Sequence, residues 1–356
     1  MRIAVVGVGL IGGSVGMAAR RRLNAEVRGY DADARVLELA RERGAIDQAS
    51  PDVASAVGDA ELAFVAVPVG ALGERIDEIL AAAPPDCVVT DVGSTKHTIV
   101  AGRSDQRFVG GHPLAGAETA GVEHAREDLF QGATWYLTPT STTSGVLYER
   151  LHRALTSVGA QPAAIDPDTH DRLMASVSHL PHVLANVLVT QAANVLLEGG
   201  EAMPATGPSF RDATRVAGAN GAIWTDIYLS NREALMAGLD DTVRRLEAVR
   251  GALEAGDAPA VASWNEEARA HRQALLETGL AGGPVHELRA SVPNRPGVVA
   301  DIALALGRAG INIVDMALSP STDFSRGVVA LWVHGDANAA RAQELIAGLG
   351  IAVTRA

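Results

Sequence analysis

The sequence predicts an α/β doubly wound domain, then an all-helical domain, then a small βαββαβ domain of ferredoxin-like order. Three observations carry this. Continuous apolar runs alternate with helical stretches over residues 1–167. Strand signals then stop, and 168–278 reads as helix throughout. A Gly/Pro break, GLAGGP, opens a linker over 279–285, and from 286 to 356 the pattern changes again. A length of 356 residues suits two or three such domains.

The first strand is the apolar run over residues 2–6, followed by glycines and a helix through Arg22. EVRGY (26–30) is the second strand, and a helix follows over 33–43 with Val36, Leu37, Leu39 and Ala40. LAFVAVPV (62–69) and CVVTDV (87–92) are continuous rather than alternating, the mark of strands buried on both faces of a parallel sheet. RFVGGHP (107–113), TWYLTPT (134–140) and QPAAID (161–166) are weaker strands. The βαβαβ order implies a doubly wound sheet.

In the helical half, Leu173, Val177, Leu180, Val183, Leu184, Val187 and Leu188 recur at helix spacing, and Pro181 is expected to kink or restart that helix. The stretch Val183 to Leu197 is apolar almost all round, which predicts a buried helix at the domain core or a dimer interface. Residues 232–254 and 259–277 are two further amphipathic helices. In the tail, HELRASV (286–292), INIVDMALS (311–319), GVVALWVHG (327–335) and IAVTR (351–355) are strands. NRPG (294–297) is a turn, and 298–310 and 337–348 are helices.

Composition excludes several classes. The chain is 47% hydrophobic and 20% charged, so it can bury a full core. A net charge of -12 argues against nucleic acid as a partner. The single cysteine, Cys87, allows no intrachain disulfide and no cysteine metal cluster. Val183 to Leu197 is interrupted by Asn186, Thr190, Gln191 and Asn194 and is short for a bilayer span. Met1 leads straight into a strand without a signal-peptide pattern, so a cytoplasmic protein without a membrane partner is expected.

Gly7-Val8-Gly9-Leu10-Ile11-Gly12 follows a strand and opens a helix. Gly7 allows the tight turn, Gly9 lets the backbone approach a pyrophosphate, and Gly12 permits close helix–strand packing. The helix start, with Leu10 and Ile11, supplies amide donors. Asp31 stands at the end of the second strand, where a carboxylate bonds ribose hydroxyls. It would repel a 2′-phosphate, so NAD is favoured over NADP; FAD stays open at this stage. The basic run Arg20 to Arg22 reads as a solvated helix end.

Three later segments narrow the chemistry: Asp91-Val-Gly-Ser94-Thr-Lys96, Gly111-His112-Pro113-Leu-Ala-Gly116-Ala-Glu118, and Ser178-His179-Leu-Pro181-His182. Oxidising an alcohol needs a base for the hydroxyl proton, and histidine titrates near working pH. His112, at a strand end beside the dinucleotide loop, is the candidate, against a histidine merely bonded into its loop. Ser94 either orients substrate or base, or caps a helix. His179 and His182 share a face on a continuous helix, one as a substrate contact and one structural. With no third ligand at a sensible spacing, no metal is expected. Arg211 and Arg215 are i,i+4, and arginine forks match carboxylates, whereas Arg211 with Asp212 also suits a surface salt bridge. Trp224 is core or pocket wall.

In GVGLIGGS, DVGSTK, GGHPLAGAETAG, SHLPH and FRDATRVA, residues 1 to about 278 resemble the prephenate and arogenate dehydrogenases of tyrosine biosynthesis. NRPGVVADIALALGRAGINI resembles ACT domains, which bind amino acids between paired copies. The resemblance implies an NAD-binding Rossmann domain, an all-α substrate and dimerisation domain, and an ACT regulatory domain. It implies that His112 is the catalytic base and that Ser94 bonds both the substrate hydroxyl and that histidine. It places His182 near substrate, Arg215 on a substrate carboxylate, and Glu118, Asp212 and Trp224 at the pocket. Many members have threonine where Ala117 stands.

The implied reaction is oxidative decarboxylation of prephenate to 4-hydroxyphenylpyruvate by a homodimer, with feedback control, most simply by tyrosine. Arogenate is the rival substrate. A non-catalytic sensor would not need Ser94, His112 and Arg215 together. A β-hydroxyacid dehydrogenase commonly uses a lysine in its helical domain, and 168–278 contains none.

Overall fold

A computed structural model describes residues 1–116, 119–198, 207–278, 284–293, 298–311, 313–321 and 325–356. It packs as two compact units. One comprises Met1–Thr190 with Arg215–Asp241, the other Gln191–Thr214 with Thr242–Ala356.

The first unit is built on the elements β1 (Arg2–Val6), α1 (Leu10–Leu23), β2 (Glu26–Tyr30), α2 (Ala34–Glu42), β3 (Gln48–Ala49), α3 (Val53–Val57), β4 (Leu62–Val65) and α4 (Val69–Ala82). There follow β5 (Val88–Asp91), α5 (His97–Val100), β6 (Phe108–Pro113), β7 (Thr134–Thr138), α6 (Gly145–Ser157) and β8 (Gln161–Ala164). The eight strands order as β3-β2-β1-β4-β5-β6-β7-β8. All neighbours are parallel except β6 and β7, which pair antiparallel with His112 opposite Tyr136. Strand order reverses between β1 and β4, so a crevice opens at their carboxyl ends.

The apolar runs are continuous because each strand feeds two cores. Ile3, Val5, Leu62, Phe64 and Val88 pack on one face of the sheet. Ala4, Val6, Ala63, Val65 and Val89 pack on the other. Each fully buried Val, Leu or Ile contributes roughly 1.5–3 kcal/mol. The strand expected over 62–69 ends at Val65, because Pro68 with φ -52° caps α4.

Helices α7 (Pro167–Met174) and α8 (Leu180–Glu198) are joined by one π turn, Ala175–His179, into a continuous run. Asp166 starts it, accepting the Thr169 N–H, with Pro167 in the first turn. The break expected at Pro181 takes the form of this π turn, with the α-helix resuming at Leu180. The Leu180 N–H reaches back to the Ala175 carbonyl, and this wider turn accommodates a proline ring that has no N–H to give. The apolar stretch from Val183 is thus the second half of a longer helix. Pro167–Val195 is long and apolar enough to cross a bilayer by length and composition alone. It carries the buried polar groups His170, Asp171, His179 and His182, an arrangement a lipid-facing helix would pay for heavily. Beyond it lie α9 (Pro208–Thr214), a 3-10 turn (Arg215–Gly218), α10 (Gly221–Ser230), α11 (Arg232–Glu254) and α12 (Ala258–Thr278).

Last come β9 (Val285–Pro293), α13 (Val298–Arg308), β10 (Ile313–Pro320), β11 (Arg326–His334), α14 (Asp336–Gly348) and β12 (Ala352–Arg355). The antiparallel sheet orders as β10-β11-β9-β12, the ferredoxin-like arrangement. Leu288, Ala290, Val329 and Leu331 face Ile302, Leu306, Ala342 and Ile346 of the two helices in its core. The expected NRPG turn (294–297) and most of the expected linker (279–283) lie outside the described residues.

Candidate active site

The glycine loop sits at the end of β1, over the crevice. Gly7 has φ +90°, and a Cβ there would lie 2.4 Å from the Ala66 carbonyl oxygen. Its N–H donates to the Tyr30 carbonyl at 2.8 Å. A Cβ on Gly12 would lie 1.9 Å from the Gly7 oxygen, so α1 packs on the loop only without one. Gly9 differs: a Cβ there meets nothing within 4 Å. The protein's own packing does not require a glycine at Gly9, whereas a ligand lying against the loop would.

Gly9 caps α1 without a side-chain bond, and the first-turn amides of Leu10 and Ile11 stand at an open helix start. Asp31 accepts the Val8 N–H at 2.9 Å through one oxygen and the Asp33 N–H at 3.0 Å through the other. Its carboxylate therefore braces the loop and stays half-exposed at the strand end. An open glycine cradle, free amides and a carboxylate at the end of β2 fit a dinucleotide.

Next along the sheet, Asp91 ends β5 and pairs with Lys96, both side chains wholly buried. Asp91 also accepts the Gly93 N–H at 2.9 Å and the Gly111 N–H at 3.0 Å, tying β5 to the strand that carries His112. Lys96 is the only lysine in the chain. Burial pushes its pKa down, opposed by the Asp91 carboxylate. Ser94 lies half-buried in the bend between them, and its hydroxyl has no hydrogen-bond partner among the described residues.

His112, near the carboxyl end of β6, is 9% exposed. Its Nδ1 lies 2.9 Å from Nε2 of His170, and no hydrogen bond reaches its Nε2 among the described residues. Burial, with the positive potential of His170, Lys96 and His179, holds it well below the ordinary histidine value. His170 in turn bonds Asp171 at 2.8 Å. The resemblance placed Ser94 against His112. Here the Nδ1 edge of that ring is taken by His170 instead.

His182 is buried and stacks on Trp224, with ring centroids 3.6 Å apart. Its Nδ1 bonds the Tyr228 hydroxyl. Burial pushes its pKa down, opposed by the Val216 backbone, which brings the turn opened by Arg215 up to His182. His179 sits edge-on to the same Trp224 and bonds Asn231 at 3.1 Å. The two histidines of the H-x-x-H pair therefore flank one tryptophan. No group of three potential ligands suited to a metal occurs among the described residues.

Arg215 and Asp212 are exposed, the first opening the 3-10 turn and the second on α9. Glu118 lies outside the described residues. The motifs singled out none of His170, Asp171, Tyr228 and Asn231. Their signal was weak: polar residues in an apolar helical run, paired with partners 58 and 46 positions away in the bonds to His112 and His182.

Comparisons with known proteins agree with the three-domain fold. Residues 15–163 match the nucleotide-binding domain of prephenate dehydrogenase, 166–267 its dimerization domain, and 286–334 an ACT domain. The prephenate dehydrogenase of Bacillus subtilis is 30% identical over 355 residues, spanning 97% of this chain and 95% of that protein. The chain belongs to the prephenate dehydrogenase family. Within it, the cyclohexadienyl dehydrogenase of Zymomonas mobilis is 31% identical over 77% of this chain and 95% of its own length. Among solved structures, prephenate dehydrogenase from A. aeolicus with hydroxyphenyl propionate and NAD+ superposes with a TM-score of 0.69. It is 27% identical, over 77% of this chain and 98% of that one. Synechocystis arogenate dehydrogenase follows at TM-score 0.65 and 29% identity, over 76% and 99%.

Proposed function

We propose that this prephenate dehydrogenase family member oxidises and decarboxylates prephenate to 4-hydroxyphenylpyruvate, with NAD as its cofactor. The observation that carries the reading is His112 with its Nε2 unengaged at the carboxyl end of β6, two strands beyond the dinucleotide crevice edge at β4. Gly7, Gly9, Leu10, Ile11 and Gly12 would hold the pyrophosphate, and Asp31 the ribose. NAD⁺, when bound, supplies the hydride acceptor.

The residues of the chain do the rest. His112 Nε2 takes the proton of the ring hydroxyl as that carbon is oxidised, and the Ser94 hydroxyl orients the same oxygen. Arg215 grips a substrate carboxylate, and His182 with Trp224 walls the pocket. The oxidised ring then loses its carboxylate as CO₂ and becomes aromatic. The proton parked on His112 returns to the phenolate oxygen, so no net proton is consumed. His112 must be neutral to begin this cycle, and its buried setting favours the neutral form.

We read the assembly as a homodimer. Val177, Val187, Leu188, Leu229, Met236 and Leu246 are exposed on the helices of a single chain, and the matching family domain is described as a dimerization domain. The ACT domain is the seat of an amino-acid effector, with tyrosine the first to test, and the enzyme works in the cytoplasm. The deciding assay follows NADH absorbance with NAD⁺ and either prephenate or arogenate, with and without tyrosine. Turnover of prephenate, weakened by tyrosine, is the expected result. Turnover of arogenate alone replaces the substrate, and turnover of neither overturns the enzymatic reading.

A further inference from the structure

We propose that His170 and Asp171 are positioning residues that fix the tautomer of His112, so that its Nε2 carries the lone pair that accepts the substrate proton. This rests on the reading of His112 as the base.

The chain of hydrogen bonds starts at the Asp171 carboxylate. Asp171 accepts the Lys96 N–H at 2.7 Å through Oδ1 and the His97 N–H at 2.8 Å through Oδ2. Two backbone donors at the start of α5 thus hold it in one orientation. Its own carbonyl is held by Asn231 Nδ2 at 2.8 Å. An ionised carboxylate can only accept, so His170 Nδ1, at 2.8 Å, carries a hydrogen and donates it. A neutral imidazole has one N–H, so His170 Nε2 is then a bare acceptor. His112 Nδ1, at 2.9 Å, must donate to it. The one hydrogen of neutral His112 is thereby spent on Nδ1, and the lone pair falls on Nε2.

Packing makes this chain rigid. His170 is 0% exposed and Asp171 3%. The His170 ring lies edge-on between His112, with centroids 5.1 Å apart, and Tyr136, at 5.7 Å. Tyr136 is also the cross-strand partner of His112, so one β6–β7 pair fixes both imidazoles. No substrate or cofactor contact is needed to define the tautomer. The arrangement follows the logic of an acid–histidine pair behind a base, with one more imidazole inserted. Besides His170, the charges that act on His112 are those of Lys96 and His179, and Tyr136 stands opposite it across the β6–β7 pair.

The test compares His170→Phe, His170→Gln and Asp171→Asn with wild type and with His112→Asn. It reads kcat, KM and the acid limb of the kcat/KM profile against pH, with NAD⁺ and prephenate. His112→Asn should lower kcat on the order of a hundredfold or more, as expected for a lost base. His170→Phe should lower kcat about ten- to a hundredfold with KM within about threefold, since orientation and not binding is lost. Its acid limb should leave the wild-type position, because the group that faces His112 Nδ1 is gone. His170→Gln, whose carbonyl can accept from His112, should recover most of the rate.

Should the Phe variant fail to fold, Asp171→Asn decides. Its amide can donate to His170, reversing both tautomers, so kcat of the folded enzyme should fall; the same NH2 then faces a backbone N–H that Asp171 satisfied, so the melting temperature should fall too. Wild-type kcat and acid limb in folded His170→Phe or Asp171→Asn would overturn the proposal. An unimpaired His112→Asn would instead strike the reading of the base itself.

Discussion

His182 and Trp224 lie face to face, 6° from parallel, while the Tyr228 hydroxyl holds His182 through Nδ1. An aromatic pair of this kind adds roughly 0.5–1.5 kcal/mol beyond the area it buries. Here that energy goes into fixing the wall of a pocket. Trp224→Leu should raise KM for substrate about three- to tenfold and leave kcat nearly unchanged. Steady-state kinetics check it, and an unaltered KM would remove Trp224 from the substrate pocket.

Arg215→Gln should also act through KM, with a larger rise of about tenfold or more, because a guanidinium–carboxylate contact made before and during the reaction is lost. A normal KM would move the carboxylate contact to another residue.

Gly9 and Gly12 should part ways when each is changed to alanine. At Gly9 the added methyl enters open space, so stability should stay within about 0.5 kcal/mol while KM for NAD⁺ rises several-fold. At Gly12 it would press on the Gly7 carbonyl, so the melting temperature itself should fall. Equal behaviour of the two variants in both measurements would contradict the reading of the Gly9 space as a ligand cradle.

Lys96→Met should destabilise the fold by about 3–5 kcal/mol, because it leaves the Asp91 carboxylate buried without its counter-ion. Adding Asp91→Asn should restore part of that loss. Urea denaturation measures both, and a single variant within about 1 kcal/mol of wild type would show that water reaches Asp91.

Acid should loosen the protein before its carboxylates titrate. Burial pushes His179 down to about 4, opposed by the Asp171 carboxylate. Above the ordinary histidine value near 6.5 both folded and unfolded chains hold this ring neutral, so it adds no pH dependence there. As pH falls from about 6.5 to about 4 the unfolded chain takes a proton that the folded one refuses, and stability falls. His112 acts in the same direction. A His179→Gln variant should show a shallower loss of stability across that window, and an identical slope would refute the assignment.

Local chemistry made most of the fold legible. The runs at Ile3–Val6 and Leu62–Val65 read as doubly buried strands because both faces of each are packed. Gly7, Gly12 and Asp31 were legible because a tight turn and a ribose-facing carboxylate demand particular residue types. The partners of His112 were not. His170 and Asp171 sit in a helix whose apolar periodicity hides them, and only the antiparallel return of β7 brings that helix start against His112. Nor does periodicity tell a π turn from an α turn, so Pro181 announced a break without showing its form.

The burial of Lys96 gives this protein an unusual surface. Outside the N-terminus it presents no primary amine to solvent, since every other basic side chain apart from histidine is a guanidinium. Amine-directed reagents should therefore leave every side chain of the folded protein untagged. A tag on Lys96 marks molecules in which the floor beneath Ser94 and His112 has opened, so the extent of side-chain labelling counts open molecules directly.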